Sequence, residues 1–353
     1  MPVEAVKSVL ISPLCWGLGH ATRIIPVIRA FQKENCNVFV FANRDLNIYL
    51  KQRFPDLQYF EDRSTCFRYK KGMGLSALIK SGIKVYKRYG REQRMVKRLL
   101  RKQHFDIIVS DNRYGIWNRK SRNVFITHQL RPKLSGITSL FRKRMHRYIE
   151  NKLNNFEHVW IPDYKDALLS GDLSAFPNAS DKFEYIGILS RFEKTESVQE
   201  RIDHYYLIIT SGPIEHRIEM SDYFIKYAKE TDAKIKIIGE SSFGDISDNA
   251  ELIHQPDDAR FKELVLGASC IITHSGYSTI MDLIQLGKSA IIIPTPGQTE
   301  QLYLAKRLQK YFVYAPTLQQ AVHFIDIHID ELPPLTLKPE SSLAEKVRQV
   351  VYH

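Results

Sequence analysis

A short apolar run followed by glycines and a histidine is the first candidate for chemistry. Residues 8–12 read SVLIS, Gly17 and Gly19 follow, and His20 comes directly after the second glycine, at the head of a stretch with helical periodicity over 21–34. This order predicts a strand, a turn and a helix whose first N–H groups stay open to an anion or a polar ligand. A neutral histidine, with an ordinary pKa of about 6.5, can accept a proton there. We therefore interpret His20 as a candidate general base and Gly17 and Gly19 as a ligand-binding loop.

Two further polar residues end apolar runs of the first half. Asp111 closes FDIIVSD (105–111) and His128 closes NVFITH (123–128). Each is an alternative base or a group that orients the base, although a strand-end aspartate also commonly caps a turn and a strand-end histidine commonly satisfies backbone groups.

A longer polar pattern lies in the second half, over residues 273–308, THSGYSTIMDLIQLGKSAIIIPTPGQTEQLYLAKRL. It predicts a strand, a hydroxyl-rich turn, a helix, a second strand, a proline-rich loop and another helix. The turn offers hydroxyls and backbone N–H groups for a phosphate, and Asp282, about one helical turn later, offers a carboxylate for a ribose diol. The residues of this turn are Ser275, Gly276, Tyr277, Ser278 and Thr279.

This segment resembles the family 28 glycosyltransferases and their relatives with the GT-B architecture, whose pattern is roughly HxGxxTxxE, then GxPxxxxP, then (D/E)Q. The matching residues are His274, Gly276, Thr279, Asp282, Gly287, Pro294, Glu300 and Gln301. The resemblance implies that Asp282 replaces the usual glutamate as the ribose ligand, and that Glu300 and Gln301 bind hydroxyls of the donor sugar.

The resemblance extends to other loops. WGLGHATRIIP (16–26) is similar to the glycine-rich loop of the lipid II-forming N-acetylglucosaminyltransferases, and ITHQ (126–129) is similar to their second acceptor-side loop. It implies that His20 lies beside the reacting acceptor hydroxyl and that TSGP (210–213) supplies Ser211 and Gly212 to the donor diphosphate.

Other chemistries fit less well. A dinucleotide fingerprint needs glycine where Thr22 stands, and no DxD pair occurs that would hold a divalent metal. We therefore expect no metal and no cofactor, with a UDP-sugar as co-substrate, and a single displacement that inverts the anomeric centre.

The order of the apolar runs predicts two α/β domains. Continuous apolar strands alternate with helical stretches in both halves of the 353 residues, which is typical of parallel sheets covered on both faces. We expect an acceptor-binding domain over 1–190 and a nucleotide-sugar-binding domain over 191–353, in the GT-B arrangement of two Rossmann-like domains facing a central cleft. The terminal stretch 343–353 is expected to form a helix that crosses back.

The charge is unevenly distributed. Residues 1–160 hold 32 basic and 11 acidic side chains, and residues 63–102 hold 14 basic ones with Glu92 as the one acid. Residues 74–102 have helical periodicity with cations beside an apolar stripe, which suits an anionic membrane surface, although such helices more commonly pack into their own domain. The cations predicted to meet a membrane or an acceptor phosphate are Lys80, Lys84, Lys87, Arg88, Arg91, Arg131 and Lys133.

Composition limits the cellular setting. No apolar stretch of about 18 residues and no signal-peptide pattern occurs, and four scattered cysteines form no CxxC pair. We expect a cytoplasmic protein associated peripherally with the inner face of the membrane. No nucleic-acid-binding motif is recognisable, so nucleic acid is not an expected partner.

Together these patterns predict an inverting, metal-independent glycosyltransferase that moves a hexose or N-acetylhexosamine from a UDP-sugar to a hydroxyl of a lipid-linked or glycan acceptor at the membrane. Two alternatives stay open. One is a nucleotide-sugar 2-epimerase of the same fold, and the other is a non-catalytic protein that binds a nucleotide sugar and a membrane.

Overall fold

The computed structural model describes residues 5–15, 17–63, 75–133, 142–175, 180–193, 204–328, 332 and 335–353, with the backbone alone over 75–87 and at 328. The chain divides into two compact units. The first unit comprises Met1–Leu189 and Glu340–His353, and the second unit comprises Ser190–Pro339. Cys66, noted in the sequence, lies outside the described residues.

The first unit is built on a parallel sheet. Its described strands, in the spatial order β3-β2-β1-β4-β5-β6-β7, are all paired in parallel. Helices flank this sheet, and their apolar faces are buried against it. The strands are β1 Ser8–Ser12, β2 Asn37–Ala42, β3 Gln58–Glu61, β4 Ile107–Asp111, β5 Arg122–Ile126, β6 His158–Ile161 and β7 Phe183–Tyr185, and the helices are α1 Leu18–Lys33, α2 Arg44–Lys51, α3 Leu75–Leu100, α4 Arg142–Leu153 and, from the end of the chain, α10 Leu343–Tyr352.

The second unit repeats this design. Its described strands have the order β10-β9-β8-β11-β12-β13 and are also paired in parallel. Its strands are β8 Tyr206–Ile209, β9 Ile235–Ile238, β10 Ala250–Ile253, β11 Cys270–His274, β12 Ile291–Ile293 and β13 Val313–Tyr314, and its helices are α5 Ile214–Lys229, α6 Asp258–Gly267, α7 Tyr277–Gln285, α8 Thr299–Arg307 and α9 Leu318–His328.

Each sheet has one point where the strand order reverses. In the first unit β1 lies beside β4, and in the second β8 lies beside β11. The helices that follow these neighbouring strands run to opposite faces, so a crevice opens at the carboxyl ends of the strands, where ligands bind in this class of fold. His20 lies in the first turn of α1, the helix that follows β1, and Asp111 is the last residue of β4, while the loops after β8 and β11 contain Ser211 and Ser275. The α/β prediction is confirmed.

The last helix belongs to the first unit. The Ile188 N–H donates to the Glu340 carbonyl at 2.9 Å, and the Ser342 N–H donates to the Ile186 carbonyl at 3.0 Å. Gly187 has φ +74° and lies so close to the Glu340 carbonyl that a Cβ atom would be 2.0 Å from the oxygen. Beyond this contact, Lys346 of α10 forms an ion pair with Glu184 at 2.7 Å.

Candidate active site

A buried polar cluster lies at the switch point of the first unit. We call it the first-unit cluster, and its members are His20, Arg23, Asp111 and His128. His20 Nδ1 is 2.7 Å from Asp111 Oδ2, while Arg23 contacts the other oxygen of the same carboxylate. The structure thus brings together the three residues that the sequence nominated as bases or orienting groups. Their proximity follows from the strand order, because β1, β4 and β5 are neighbours.

The proton positions in the cluster follow from the chemistry of its groups. Nδ1 of His20 lies 2.7 Å from both Asp111 Oδ2 and Arg23 Nη2. Because an ionised carboxylate only accepts hydrogen bonds and Nη2 donates to the other oxygen of Asp111, we assign the ring proton to Nδ1, which donates to Asp111. In the neutral ring, Nε2 is then the acceptor nitrogen. The side chain of His20 is 13% exposed, whereas that of Asp111 is fully buried. The ring is therefore held by its Nδ1 edge.

Two pKa shifts support this assignment. Burial lowers the pKa of His20, the charge of Arg23 lowers it further, and Asp111 opposes both with a smaller effect. Burial alone would raise the pKa of Asp111, but Arg23 and His20 together bring that pKa below its usual range. At neutral pH the cluster therefore combines a neutral imidazole with a carboxylate, which is the state needed for proton abstraction.

Arg23 was not predicted from the sequence. It lies three residues after His20 on α1, is 2% exposed, and its Nη1 atom is 3.2 Å from Nδ1 of His128. A guanidinium can only donate, so Nδ1 of His128 accepts this bond. The helical spacing after His20 was the available signal, since residues three apart share one face of a helix.

The glycine-rich turn before the cluster has the geometry that the sequence indicated. Gly17 has φ +75° and precedes α1 without any side-chain cap. Its Cβ position is open space, so glycine is required here by the backbone angle rather than by crowding. Uncapped N–H groups at the start of α1 therefore lie directly before His20.

A second polar site lies at the switch point of the second unit. We call it the second-unit cradle, and it comprises Ser211, Gly212, His274, Ser275, Gly276 and Thr295. The Ser211 N–H donates to Nδ1 of His274 at 3.2 Å. Burial, followed by the charge of His216, lowers the pKa of His274 to about 4. His274 is therefore neutral, and it fixes the backbone of the loop after β8.

Two hydroxyl groups of the cradle are buried but have no hydrogen-bond partner among the described residues. These are Oγ of Ser211 and Oγ1 of Thr295. A buried hydroxyl without a partner carries a desolvation cost of about 1–3 kcal/mol, which a bound ligand can remove. Gly212 follows Ser211 and lies beside Thr295, since a Cβ atom placed on Gly212 would be 3.5 Å from the Thr295 hydroxyl oxygen. The φ angle of Gly212 is +89°. Thr295, in the loop after β12, was not predicted.

Helix termini surround the cradle. α5 begins after Pro213, α7 after Gly276 and α8 after Gln298, and no side chain of the described residues caps any of the three. By contrast, α2 is capped by Asn43 and α6 by Asp257. Uncapped helix N-termini present partial positive charge and free N–H groups, which attract phosphate. The arrangement suits an anionic group with several oxygens.

Ser275, Ser278 and Thr279 flank this site with different roles. The Ser275 hydroxyl donates to the Gln301 carbonyl at 2.9 Å and so ties the turn to α8. Ser278 and Thr279 are half-buried on the first turn of α7, and Oγ1 of Thr279 is 3.7 Å from a Cβ atom placed on Gly276. Ser278 and Thr279 therefore lie next to the uncapped helix start, while Ser275 is part of the loop's internal structure.

The sequence predicted that the Asp282 carboxylate is open to a ribose, but the structure places it differently. It is 4% exposed, accepts from the Ser190 hydroxyl at 2.6 Å and pairs with Nε of Arg191 at 3.2 Å. The guanidinium of Arg191 also lies over the ring of Phe261, 4.1 Å from its centroid. Burial raises the pKa of Asp282, and Arg191 opposes this shift. Aspartate is one methylene shorter than the usual glutamate, and this carboxylate is engaged inside the second unit.

Gln301 also differs from its expected sugar contact. Its Oε1 accepts from the Thr295 N–H at 2.9 Å, and its Nε2 donates to Gln298 at 2.9 Å. Both ends of the amide are thus used to shape the cradle loop. Its neighbour Glu300 is half-buried on the first turn of α8.

The predicted basic surface is only partly exposed. The helix predicted over 74–102 is α3, but the side chains of Lys80, Lys84 and Lys87 lie outside the described residues. Arg88 pairs with buried Glu92 at 2.9 Å, and Lys133 pairs with Asp172 at 2.7 Å. Arg131 is half-buried, and its N–H donates to the Leu173 carbonyl.

The exposed cations of α3 lie further along the helix. Arg91, Arg94, Lys97 and Arg98 are all exposed, and we call them the α3 basic stripe. Val96 on the other face packs into the core of the first unit. Helix α4 lies alongside, with the Lys152 ammonium 3.6 Å from the Tyr89 ring centroid, and its first turns expose further cations. These are Arg142, Lys143, Arg144 and Arg147.

The described part of the chain offers no metal-binding cluster and no membrane-spanning helix. It contains no group of three or more histidine, cysteine, aspartate or glutamate side chains arranged to hold a metal ion. None of its helices is long and apolar enough to cross a membrane.

Comparison with known proteins adds independent information. Residues 224–348 match the sequence model of the glycosyltransferase family 28 C-terminal domain. This range begins in α5 and includes the turn after β11, the cradle loop after β12 and most of α10. No curated protein matches the whole sequence.

Solved structures share the fold over nearly the whole chain. The glycosyltransferase SnogD from Streptomyces nogalater has a TM-score of 0.62 at 15% identity, covering 99% of both chains. The spinosyn rhamnosyltransferase SpnG, complexed with thymidine diphosphate, has a TM-score of 0.64 at 12% identity, covering 98% of this chain and 100% of the other. The calicheamicin glycosyltransferase CalG4 has a TM-score of 0.61 at 13% identity, over 98% of this chain and 93% of its own.

Proposed function

We propose that this protein, a glycosyltransferase with the GT-B fold and a family 28 C-terminal domain, transfers a hexose or N-acetylhexosamine from a nucleoside-diphosphate sugar to an acceptor hydroxyl. The observation that carries the proposal is the first-unit cluster, in which neutral His20 is held by Asp111 through Nδ1 and keeps Nε2 as an acceptor. This is the arrangement of a general base oriented by a carboxylate. The domain match supports the transferase class.

The donor is assigned to the second-unit cradle. The buried hydroxyls of Ser211 and Thr295, which have no hydrogen-bond partner in the described part of the chain, and the starts of α5, α7 and α8 offer donors to a diphosphate. Ser278 and Thr279 add hydroxyls on the first turn of α7. We propose UDP as the nucleotide, and thymidine diphosphate, which is bound to SpnG, is the rival to compare.

The reaction is proposed as one displacement. The acceptor oxygen gives its proton to Nε2 of His20 and attacks the anomeric carbon, while the bond from that carbon to the distal phosphate oxygen breaks. The anomeric centre is thereby inverted, and the leaving diphosphate takes the electron pair. Helix N–H groups and the cradle hydroxyls stabilise this charge, so the proposed mechanism needs no divalent metal.

The remaining donor contacts differ in part from those that the sequence predicted. We propose that Glu300 binds sugar hydroxyls, while Gln301 supports Thr295 through its amide. For Asp282 we propose a ribose contact shared with Ser190, because Oδ1 keeps a second lone pair beside the 2.6 Å bond.

We further propose a lipid-linked acceptor at an anionic membrane surface, on the cytoplasmic side. The α3 basic stripe and the exposed start of α4 lie on adjacent helices of the unit that contains His20. Each cation near such a surface contributes about 1 kcal/mol to binding. Vesicle sedimentation tests this part, with Arg91, Arg94, Lys97 and Arg98 changed to glutamine. A matched control changes Lys226, Lys229, Lys306 and Lys310 of the second unit, and equal binding by both variants would remove the membrane proposal.

The transferase proposal is tested by thermal unfolding followed by product analysis. We expect UDP or a UDP-sugar to raise the unfolding temperature, since a ligand at a hundred times its Kd stabilises by about 2.7 kcal/mol. With an acceptor present, His20→Gln should retain this stabilisation and lose the release of free nucleotide. Nucleotide release that does not depend on any acceptor would favour hydrolysis or epimerisation, and binding without release in wild type would favour a non-catalytic protein.

A further inference from the structure

We propose that Arg23 is a positioning residue that keeps His20 a neutral base with Nε2 as its acceptor nitrogen and fastens His128 to the same site. This inference rests on the proposed function for its catalytic meaning. The charge state of the His20 imidazole ring, on which the inference depends, is measurable in the protein without substrate.

The geometry places Arg23 against three groups at once. Nη2 donates to Asp111 and lies 2.7 Å from Nδ1 of His20, whose own proton is directed to the same carboxylate, while Nη1 lies 3.2 Å from Nδ1 of His128. A guanidinium presents its donors in a rigid plane and stays charged at any physiological pH. Arg23 therefore connects the ends of β4 and β5 to the first turn of α1. A lysine at this position, with one ammonium, cannot reproduce the paired contacts.

The consequence for His20 comes from charge balance. In a simple pair of histidine and aspartate, the carboxylate stabilises the protonated ring and makes it more basic. Here the positive charge of Arg23 lies against both Asp111 and the ring, so the carboxylate orients the imidazole while much of its attraction for a second proton is cancelled. His20 is thus directed by Asp111 without being protonated before the acceptor arrives.

Among the described residues, the charged groups that shift the pKa of His20 most belong to this cluster. Arg23 comes from α1 itself, Asp111 from the end of β4 and His128 from the loop after β5, and these are also the groups that shift the pKa of His20. Burial is the largest influence, and Arg23 is the next. Without Arg23, Asp111 still raises the pKa of His20, and burial and the small effect of His128 still lower it.

The test is a proton NMR titration of the histidine ring signals between about pH 5 and about pH 8, the range in which histidine changes charge. The chain has 12 histidines, so His20→Gln identifies the signal by its absence. Arg23→Gln removes the charge but keeps an amide donor for Asp111. We expect the pKa of His20 to move upward in this variant, and an unchanged titration would overturn the proposal.

Two further variants separate positioning from general stabilisation. Arg23→Lys keeps the charge, so the pKa of His20 should stay low while kcat falls because the paired contacts are lost. Full activity of this variant would refute the positioning role. Arg29→Gln removes an arginine two turns further along the same helix and should leave the titration unchanged. Should Arg23→Gln fail to fold, Arg23→Lys still decides the positioning role through kcat at unchanged His20 titration.

The acid limb of the pH profile of kcat/KM tests whether protonation of the His20 ring lowers turnover. Arg23→Gln should shift this limb to higher pH in parallel with the NMR titration. A shifted titration with no transferase activity in any variant would mean that the proposed function is wrong while Arg23 still sets the charge of His20. A shifted titration with an unshifted acid limb would mean that His20 is not the base and that Arg23 has no positioning role in the reaction.

Discussion

The hydroxyl of Thr295 gives the sharpest test of the second-unit cradle, because its removal should affect stability and binding in opposite directions. Thr295 is 1% exposed, and its Oγ1 atom has no hydrogen-bond partner among the described residues. In Thr295→Val the buried polar atom is replaced by a methyl group of similar size. The free energy of unfolding without nucleotide should therefore stay constant or rise by about 1 kcal/mol.

Binding of a nucleoside diphosphate should weaken in the same variant. A hydrogen bond to a charged group contributes about 1.5–3 kcal/mol, which corresponds to a Kd roughly 10- to 150-fold higher. Isothermal titration calorimetry with UDP measures the Kd, and urea unfolding of the free protein measures stability. The two measurements use the same preparation, so a folding defect is visible directly.

Thr273→Val is the matched control. Thr273 is also buried, but its hydroxyl donates to the Ile209 carbonyl at 2.9 Å. This variant should lose about 1 kcal/mol of stability and bind UDP normally. If Thr295→Val instead destabilised the free protein and left the Kd unchanged, its hydroxyl would be an internal structural group, and the cradle would lose one of its proposed phosphate donors.

The other predictions concern donor contacts and pH. Asp282→Ala should destabilise the free protein by about 1–3 kcal/mol, because it removes one of the two carboxylates that pair with the buried Arg191 guanidinium, Asp258 being the other, and should abolish stabilisation by UDP. Ser190→Ala should retain UDP binding, and loss of binding in both variants would show that the pair shapes the site instead of touching ribose. Because the pKa of His20 lies below 6.5, more than half of the base is neutral at that pH, so kcat/KM should fall only at more acidic pH. An acid limb above 6.5 would argue against His20 as the base. Gly212→Ala should weaken UDP binding and stability together, because φ is +89° at this position, and a calorimetric titration that matched wild type would contradict the role of this loop.

Much of the architecture could be predicted because short apolar runs ending in glycines or polar residues specify strands and strand-end loops. His20, Asp111 and His128 were each singled out by position alone, and the strand order brings them together. Sequence spacing contains no information about which strands are neighbours, so the contacts among these residues were not predicted.

The residues that were missed or differently placed share a physical cause. Arg23 is one of 51 basic residues, and no local pattern distinguishes a buried guanidinium from a surface one. Thr295 matters because its hydroxyl has no partner, which depends on the surrounding loop. The orientation of the Asp282 carboxylate depends on its contact with Arg191. Arg191 lies at the start of the second unit, far from Asp282 in the sequence.

The return of the chain at Glu340 has a consequence for how the protein is made. The first unit lacks α10 until Leu343–Tyr352 has been synthesised, and this helix buries Val347, Val350 and Val351. Domains generally fold as they emerge, with the N-terminal one first, yet here the second unit is complete on the ribosome before the first can close. The core beneath α10 and the ion pair of Glu184 are therefore completed only by a segment that lies some 150 residues later in the chain. The first unit of a nascent chain stalled within the second unit should therefore be digested by protease faster than the first unit of a chain that includes α10.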